Sequence, residues 1–419
     1  MAKAMVITVG TGPTVAHGIC FSIRNQNPEY IAFLLTKESK EKTMPIITKD
    51  KVMEGRNYSE RILHDPNDVE RIAKESQKVI KSLKYKSQDV AIDYTSGTKA
   101  MSAGLTIAGI KLKVGTLVYV SGDRNTRGTV ISGTERPMPL EPNRIYADDL
   151  WIRAVELFNK FQYDTCIKII GEAEPLLADE EFQQKLLTLE LLAEAYSSWD
   201  KFELGKAFKN LNSLTNNESL TAWGVKSRVE ENKAALYQEK DNVFCKERIA
   251  DLLANAERRG VEKKFDDAVA RLYRTIEYIA QYKINEKGYF KKDKKGKVQT
   301  DDLDIGSLPS LELQQKYQKY RDSKNNKIKL TLYSLYELLD DLGEEIGRTF
   351  KKEMDKKDSK LKKLLAMRNN SILAHGFGPV SESTYKEMLN TVKKFTKLGV
   401  SELDEYMDRV KFPIIKLSA

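Results

Sequence analysis

Short apolar runs alternate with helix-period segments over residues 1–145, and helical periodicity takes over beyond them. AMVITVG (4–10), YIAFLLT (30–36), DVAIDYT (89–95) and GTLVYVSG (115–122) are apolar stretches of strand length. Such continuous runs suit strands buried on both faces. TVAHGICFSIRN (14–25), DPNDVERIAKESQKVIKSL (65–83) and KAMSAGLTIAGIKL (99–112) carry a helical pattern between them. Asp65 reads as an N-cap with Pro66 at the first helical position. GTVISGTE (128–135) reads as an edge strand. Strands alternating with helices predict an α/β, Rossmann-like N-terminal domain with a mainly parallel sheet.

RPMPLEPNR (136–144) holds three prolines and reads as a linker. Residues 146–248 then read as an all-α middle domain. Within it, AVELFNKFQYDTCIKIIGEAEPLL and LAEAYSSWDKFELGKAFKNLNSL resemble each other, which suggests stacked helical hairpins or an unrelated bundle. A third, all-α domain spans 249–419. It opens on a long helical stretch, passes through a Lys-, Asp- and Gly-rich extended loop at 286–307, and resumes with helices at 308–321, 331–347, 359–374 and 382–397.

At 419 residues the chain is long enough for two or three domains. No apolar run reaches the roughly 20 residues of a membrane span. The N-terminus reads as a buried strand and lacks the signature of a signal peptide. Cys20, Cys166 and Cys245 are too scattered for a disulfide framework or a metal-ligand pattern, and the cytoplasm is the expected compartment. The formal net charge is +9, and its lysines cluster in KKDKKGK (291–297) and KKEMDKKDSKLKK (351–363). That clustering favours a polyanionic partner over a merely solvated surface.

The second lysine run leads into LAMRNNSILAHGFG (365–378), which carries one of only three histidines in the chain. Arg368 and His375 lie seven positions apart, a helical rotation only about 20° short of two turns, so both would project from one face of a helix ending at Gly376 and Gly378. A histidine at a helix C-terminus is favoured in its imidazolium form. Beside a guanidinium it suits phosphate-ester chemistry: the imidazole moves a proton, and the arginine stabilises charge on phosphorus. One such Arg/His set per chain favours two copies meeting across a two-fold axis.

Two N-terminal loops follow strands and should open at the carboxyl edge of the sheet, where ligands of such folds bind. VGTGPTVAHG (9–18) offers Gly10, Thr11, Gly12 and Thr14, although Val15 replaces the third glycine of a dinucleotide fingerprint. DYTSGTKAM (93–101) offers Thr95, Ser96, Gly97, Thr98 and Lys99 without Walker spacing. Hydroxyls, glycines and one lysine suit a phosphate-bearing ligand. His17, His64 and Tyr94 lie nearby but read as structural. Arg271, Arg274 and Glu277 share a helix face, most simply as an intrahelical ion pair.

RNNSILAHG, with Arg368, Asn369 and His375 at the motif positions, resembles the motif of HEPN ribonucleases. The DYTSGTKAM loop is similar to the ligand loop of CARF domains, with Ser96 where glycine is common. In that order, with helices between them, the two motifs make the whole chain resemble the CARF–HEPN ancillary ribonucleases of type III CRISPR systems. The resemblance implies a homodimer that cuts single-stranded RNA without metal or cofactor, through 2′-hydroxyl attack, leaving a 2′,3′-cyclic phosphate. It implies activation by a cyclic oligoadenylate bound across two N-terminal domains, with cyclic tetra-adenylate ahead of cyclic hexa-adenylate. Thr11, Ser96, Thr98 and Lys99 could also orient the ligand's 2′-hydroxyl for slow self-cleavage. A nucleotide-sensing RNA-binding regulator and a ligand-independent toxin-like ribonuclease are the alternatives.

Overall fold

In β1 (Ala4–Val9) and β2 (Tyr30–Leu35) nearly every side chain is buried, because both faces of the strands are covered. Ala4 and Val6 point to one side with Ala32, Leu34 and Ile92, while Met5, Ile7 and Val9 point to the other with Ile31, Phe33 and Leu35. This is the period-two alternation of a strand, with both phases apolar. The computed structural model describes residues 2–123, 130–131, 133–176, 179–373 and 376–416. Helices α1 (Pro13–Gln26), α2 (Lys37–Lys42) and α3 (Met44–Lys49) follow β1 and β2; α4 (Val69–Ser82) follows β3 (Asn57–Ile62), and α5 (Lys99–Lys111) follows β4 (Val90–Asp93). Strands β5 (Thr116–Ser121) and β6 (Arg136–Leu140) complete a six-stranded sheet of order β3-β2-β1-β4-β5-β6. All neighbours are parallel except the antiparallel β5–β6 pair. The expected α/β, Rossmann-like domain is therefore present, with its strand order reversing between β1 and β4.

The sequence pattern misplaced several elements. Helix α4 starts at Val69, and Asp68, not Asp65, accepts the capping bond from the Arg71 N–H. Asp65 instead accepts from the Asn67 N–H in the preceding turn. Strand β3 was not expected, since NYSERI is polar and mostly exposed at the sheet edge. The antiparallel edge strand is β6, inside the proline-rich stretch expected to be a linker. Pro137 and Pro139 share one parity against Val120 and Val118, so their missing N–H groups fall at positions that do not pair with β5. Residues 128, 129 and 132 of the expected edge strand GTVISGTE lie outside the described residues.

The remainder is helical apart from one hairpin. Six helices come first: α6 (Pro142–Asn159), α7 (Tyr163–Ala173), α8 (Glu180–Asp200), α9 (Leu204–Ser213), α10 (Glu218–Ala222) and α11 (Lys226–Asp241). Then follow α12 (Lys246–Val261), α13 (Phe265–Glu286), α14 (Leu311–Gln318), α15 (Leu332–Asp341), α16 (Glu345–Asp355), α17 (Lys360–Asn370), α18 (Glu382–Gly399) and α19 (Leu403–Arg409). The stretch expected to be an extended loop at 286–307 contains β7 (Phe290–Lys292) and β8 (Val298–Leu303), which pair antiparallel. The helix expected over 331–347 breaks at Gly343, whose φ of 79° lies in the left-handed region.

The chain divides into two compact units, Met1–Trp151 with Glu172–Asp179, and Ile152–Gly171 with Glu180–Ala419. Most of the helices expected as middle and C-terminal domains fall in the second unit. A buried network ties them. The Trp199 indole N–H donates to Asp251 at 3.0 Å, and the Arg258 guanidinium reaches Asp200 at 2.8 Å and Asp251 at 3.2 Å. That guanidinium lies 3.8 Å from the centre of the Phe412 ring. Buried charges of this kind survive only because each is paired and hydrogen-bonded.

Candidate ligand cleft and candidate nuclease site

At the carboxyl edge of the sheet, beside the β1–β4 reversal, the loops after these two strands touch. A Cβ added at Gly10 would lie 2.9 Å from the Gly97 nitrogen, and Gly97 itself has φ +97°. Both glycines are required by that approach. Ser96 locks the loops together: its hydroxyl donates to the Thr8 carbonyl, and the Thr8 hydroxyl donates back to the Ser96 carbonyl at 2.5 Å. Thr95 is equally committed, accepting the Val120 N–H at 2.8 Å. Thr98 caps α5 by accepting the Met101 N–H at 3.1 Å and donates to the Pro66 carbonyl at 2.5 Å. Thr43 pins the first loop, accepting from the Gly12 N–H at 3.0 Å and donating to the Gly10 carbonyl at 2.9 Å.

A cleft of about 960 Å³ opens here. Of the nine ligand residues expected from sequence, Gly10, Thr11, Gly97 and Thr98 line it. Gly12, Thr14, Thr95, Ser96 and Lys99 are not in its wall; Thr14 and Lys99 are exposed on the surface. Sequence reasoning missed Thr36, Lys37 and Arg61 and set His64 aside as structural, yet all four line the cleft. Thr36 and Lys37 follow β2, whereas Arg61 and His64 sit at the end of β3, the strand that polar NYSERI concealed. Lys37, Arg61 and His64 bring positive charge, tempered by Glu38 and Glu60 in the same wall. With the N–H groups at the start of α5, this wall can hold phosphates. His17 does not line it: its Nε2 lies 3.0 Å from Glu135. Asp93 lies buried beneath, its carboxyl raised above the ordinary range by burial.

The second expected site takes a different form from the one inferred. Helix α17 stops at Asn370, because the Ser371 N–H and hydroxyl both turn back to the Arg368 carbonyl, at 3.2 and 2.9 Å. The two-turn helical spacing from Arg368 to His375 therefore does not hold, and His375 lies outside the described residues. The chain beyond is tied to the same helix end, with the Gly376 N–H donating to the Ser371 carbonyl at 3.2 Å and the Gly378 N–H to the Asn370 carbonyl at 3.1 Å. A Cβ at Gly376 would meet the Asn370 carbonyl oxygen at 2.2 Å, so only glycine fits.

Arg368 is half-buried in the last turn of α17. Its guanidinium carbon lies 4.7 Å from the centre of the Tyr273 ring on α13, and its Nη1 donates to the Asn369 side chain at 3.2 Å. The cation–π contact fixes one face of the guanidinium and leaves donors for an anion. Burial raises the Tyr273 phenol above its usual value, so the ring stays neutral beneath the arginine. Arg274 pairs with Glu277 at 2.8 Å as expected, but Arg271 turns to Asp267 and Asn255 instead. Among the described residues, no group of three or more His, Cys, Asp or Glu side chains could hold a metal ion.

Residues 238–399 match the family model described as the Csm6 HEPN domain, and residues 146–237 match that of the Csm6 6H domain. Together the two models cover residues 146–399, and that stretch belongs to the Csm6 family. Arg368, Asn369 and Tyr273 fall inside the HEPN match, and helices α6 to α11 account for the 6H match. The chain is similar to the "CRISPR system endoribonuclease Csm6" of Thermus thermophilus, 29% identical over 239 residues, which is 53% of this chain and 47% of that relative. The match thus spans about half the relative's length. The solved structure of Enterococcus italicus Csm6 bound to cyclic hexa-2′-fluoro-hexa-dAMP is similar with a TM-score of 0.61 and 12% identity, over 98% of this chain and 99% of that one. That likeness establishes the shared fold, an α/β sheet domain followed by helical domains. Among the described residues, no helix is long and apolar enough to cross a membrane.

Proposed function

We propose that this Csm6-family chain is a cyclic-oligoadenylate-activated endoribonuclease of type III CRISPR antiviral defence. It cuts single-stranded RNA without a metal ion. The observation that carries this reading is Arg368, held over Tyr273 at a helix end inside the HEPN match. Arg368 stabilises charge growing on the scissile phosphorus, Asn369 holds the guanidinium in place, and His375 moves the proton. The nucleophile is the RNA's own 2′-hydroxyl, so the products carry a 2′,3′-cyclic phosphate and a 5′-hydroxyl.

Two copies form the working enzyme. Ile372, Leu373 and Phe377 beside Arg368 are 65%, 50% and 90% exposed, an apolar rim that a second copy would cover. The activator sits in the cleft at the β1–β4 reversal, its phosphates met by Arg61, Lys37 and the start of α5. Cyclic tetra-adenylate and cyclic hexa-adenylate are the rings to compare; the Enterococcus italicus relative was solved with a six-unit analogue. Because the Ser96 and Thr98 hydroxyls are committed to backbone carbonyls, only Thr11 and Lys99 of the four residues expected to orient a ligand 2′-hydroxyl are left for that task, which favours a sensor over a cleaver of its ligand.

The test is cleavage by His375→Ala. It should leave a folded protein with at least about a hundredfold less activity, the usual scale for losing a general acid–base. Wild-type turnover in that variant, or products lacking the cyclic phosphate, would overturn the reading.

A further inference from the structure

The two lysine runs of the C-terminal region are in different electrostatic states. In KKEMDKKDSKLKK, Lys351 pairs with Asp340 at 3.1 Å, Lys356 with Glu353 at 2.5 Å and Lys360 with Glu387 at 2.7 Å, and Lys362 donates to the Met354 carbonyl at 3.0 Å. Four of that run's seven lysines are thus tied to nearby helices, while Lys352, Lys357 and Lys363 are exposed and form no ion pair among the described residues. In the β7–β8 hairpin only Lys291 is neutralised, by Asp302 at 3.2 Å. Lys292, Lys294, Lys295 and Lys297 are exposed and meet no carboxylate among the described residues.

The tip that carries them is ordered by its own backbone. The Asp293 N–H donates to the Lys297 carbonyl at 2.8 Å, and the Asp293 carboxylate accepts the Lys295 and Lys297 N–H groups, each at 2.8 Å. Asp293 is thus spent on the turn, and Gly296 supplies the left-handed residue at φ 79°. The base of the hairpin is anchored: Phe290 is buried and stacks on Phe244 at 6.2 Å, and Leu303 is fully buried. A buried root, a preformed turn and four unpaired cations make a fixed positive arm.

The arm is joined to the nuclease site by one helix. Tyr273, under Arg368, lies on α13, whose last residue, Glu286, comes just before β7. At 1.5 Å per residue the thirteen residues from Tyr273 to Glu286 span roughly 20 Å. A single strand of several nucleotides could bridge that distance.

We propose that the β7–β8 hairpin is a second RNA-binding element, gripping the phosphate backbone of the single-stranded substrate away from the cut. This inference rests on the ribonuclease reading for its substrate. Recognition of the phosphate backbone is sequence-tolerant, so the arm adds affinity for long RNA without specifying the cut.

The test substitutes Lys292, Lys294, Lys295 and Lys297 together by Gln, and separately by Arg. Binding of a long single-stranded RNA is measured by fluorescence anisotropy across a salt series, in a His375→Ala background so that nothing is cut. Each lost phosphate contact should reduce the slope of log affinity against log salt by about 0.7, so the Gln variant should lose about 2–3 units and the Arg variant none. With His375 restored and the activator present, the Gln variant should show a raised KM on long RNA and wild-type kcat/KM on a tetranucleotide. An unchanged salt slope would overturn the proposal, as would a tetranucleotide defect equal to that on long RNA. A lowered slope in a protein that cuts no RNA would leave the arm standing and fail the ribonuclease reading instead.

Discussion

Thr98→Ala separates a structural hydroxyl from a ligand-binding one. The Thr98 side chain accepts the Met101 N–H at 3.1 Å as the N-cap of α5 and donates to the Pro66 carbonyl at 2.5 Å. Removing the cap costs about 1 kcal/mol, and the lost bond to Pro66 about 1 kcal/mol more. For a unit of this size, roughly 2 kcal/mol lowers the melting temperature by about 4–8 °C. Because both bonding directions of the hydroxyl are already taken, ligand activation measured well below the transition should shift by less than about threefold. Arg61→Ala is the contrast. Arg61 lines the cleft and stands 3.5 Å from Glu75, and Glu75 keeps Arg71 as a second partner at 3.4 Å, so the substitution leaves no orphaned charge. Loss of one charge-assisted bond to phosphate should raise the half-activating ligand concentration at least about tenfold. Differential scanning fluorimetry and an activation titration on both variants give the result. A Thr98→Ala protein that melts like wild type but needs tenfold more ligand would refute this account of the loop.

Arg368→Lys should abolish most RNA cleavage while the protein stays folded, since a point charge replaces neither the planar fork nor its stacking on Tyr273; retained turnover would refute that role. Mixing wild-type chains with excess His375→Ala chains should depress activity beyond dilution if two histidines act in one composite site, and a linear dependence on the wild-type fraction would argue against it. Burial outweighs the Arg248 guanidinium at 3.2 Å and raises the Glu239 carboxyl from 4.5 to about 8. A carboxyl raised by folding stabilises the fold below its unfolded value, and that contribution is lost as pH rises towards about 8. Melting of the wild type should therefore fall between pH 5 and 9 more steeply than that of Glu239→Gln, and parallel profiles would contradict the assignment.

What the sequence disclosed follows from where side chains end up. β1, β2 and β4 were legible because strands covered on both faces must be apolar throughout. β3 was not, because an edge strand is held by backbone pairing to β2 and its side chains can be polar, as NYSERI is. That omission hid Arg61 and His64, since their place in the cleft depends on where β3 ends. β6 was hidden by its prolines, which read as a linker until the pairing parity shows them harmless. Gly10 and Gly97 were legible as residues of the two loops, but their close approach to each other was not. The commitment of the Thr95, Ser96 and Thr98 hydroxyls was not, since their partners Val120, Thr8 and Pro66 are remote in sequence. At the nuclease motif the eye extends α17 to the first glycine, but Ser371 ends it earlier by folding its hydroxyl and N–H onto the Arg368 carbonyl. Arg368 and Asn369 stand in the last turn of α17, and the helical spacing expected from Arg368 to His375 does not hold because the helix ends at Asn370.

The central claim is that a ring of adenylates in the N-terminal cleft switches on a metal-independent ribonuclease. Its most direct test is the rate of single-stranded RNA cleavage in EDTA, with no ligand, with cyclic tetra-adenylate and with cyclic hexa-adenylate. One ring should raise the rate at least about tenfold, within the usual range of allosteric coupling, and the products should end in cyclic phosphates. Equal cleavage with and without both rings, or cleavage abolished by EDTA, would contradict it.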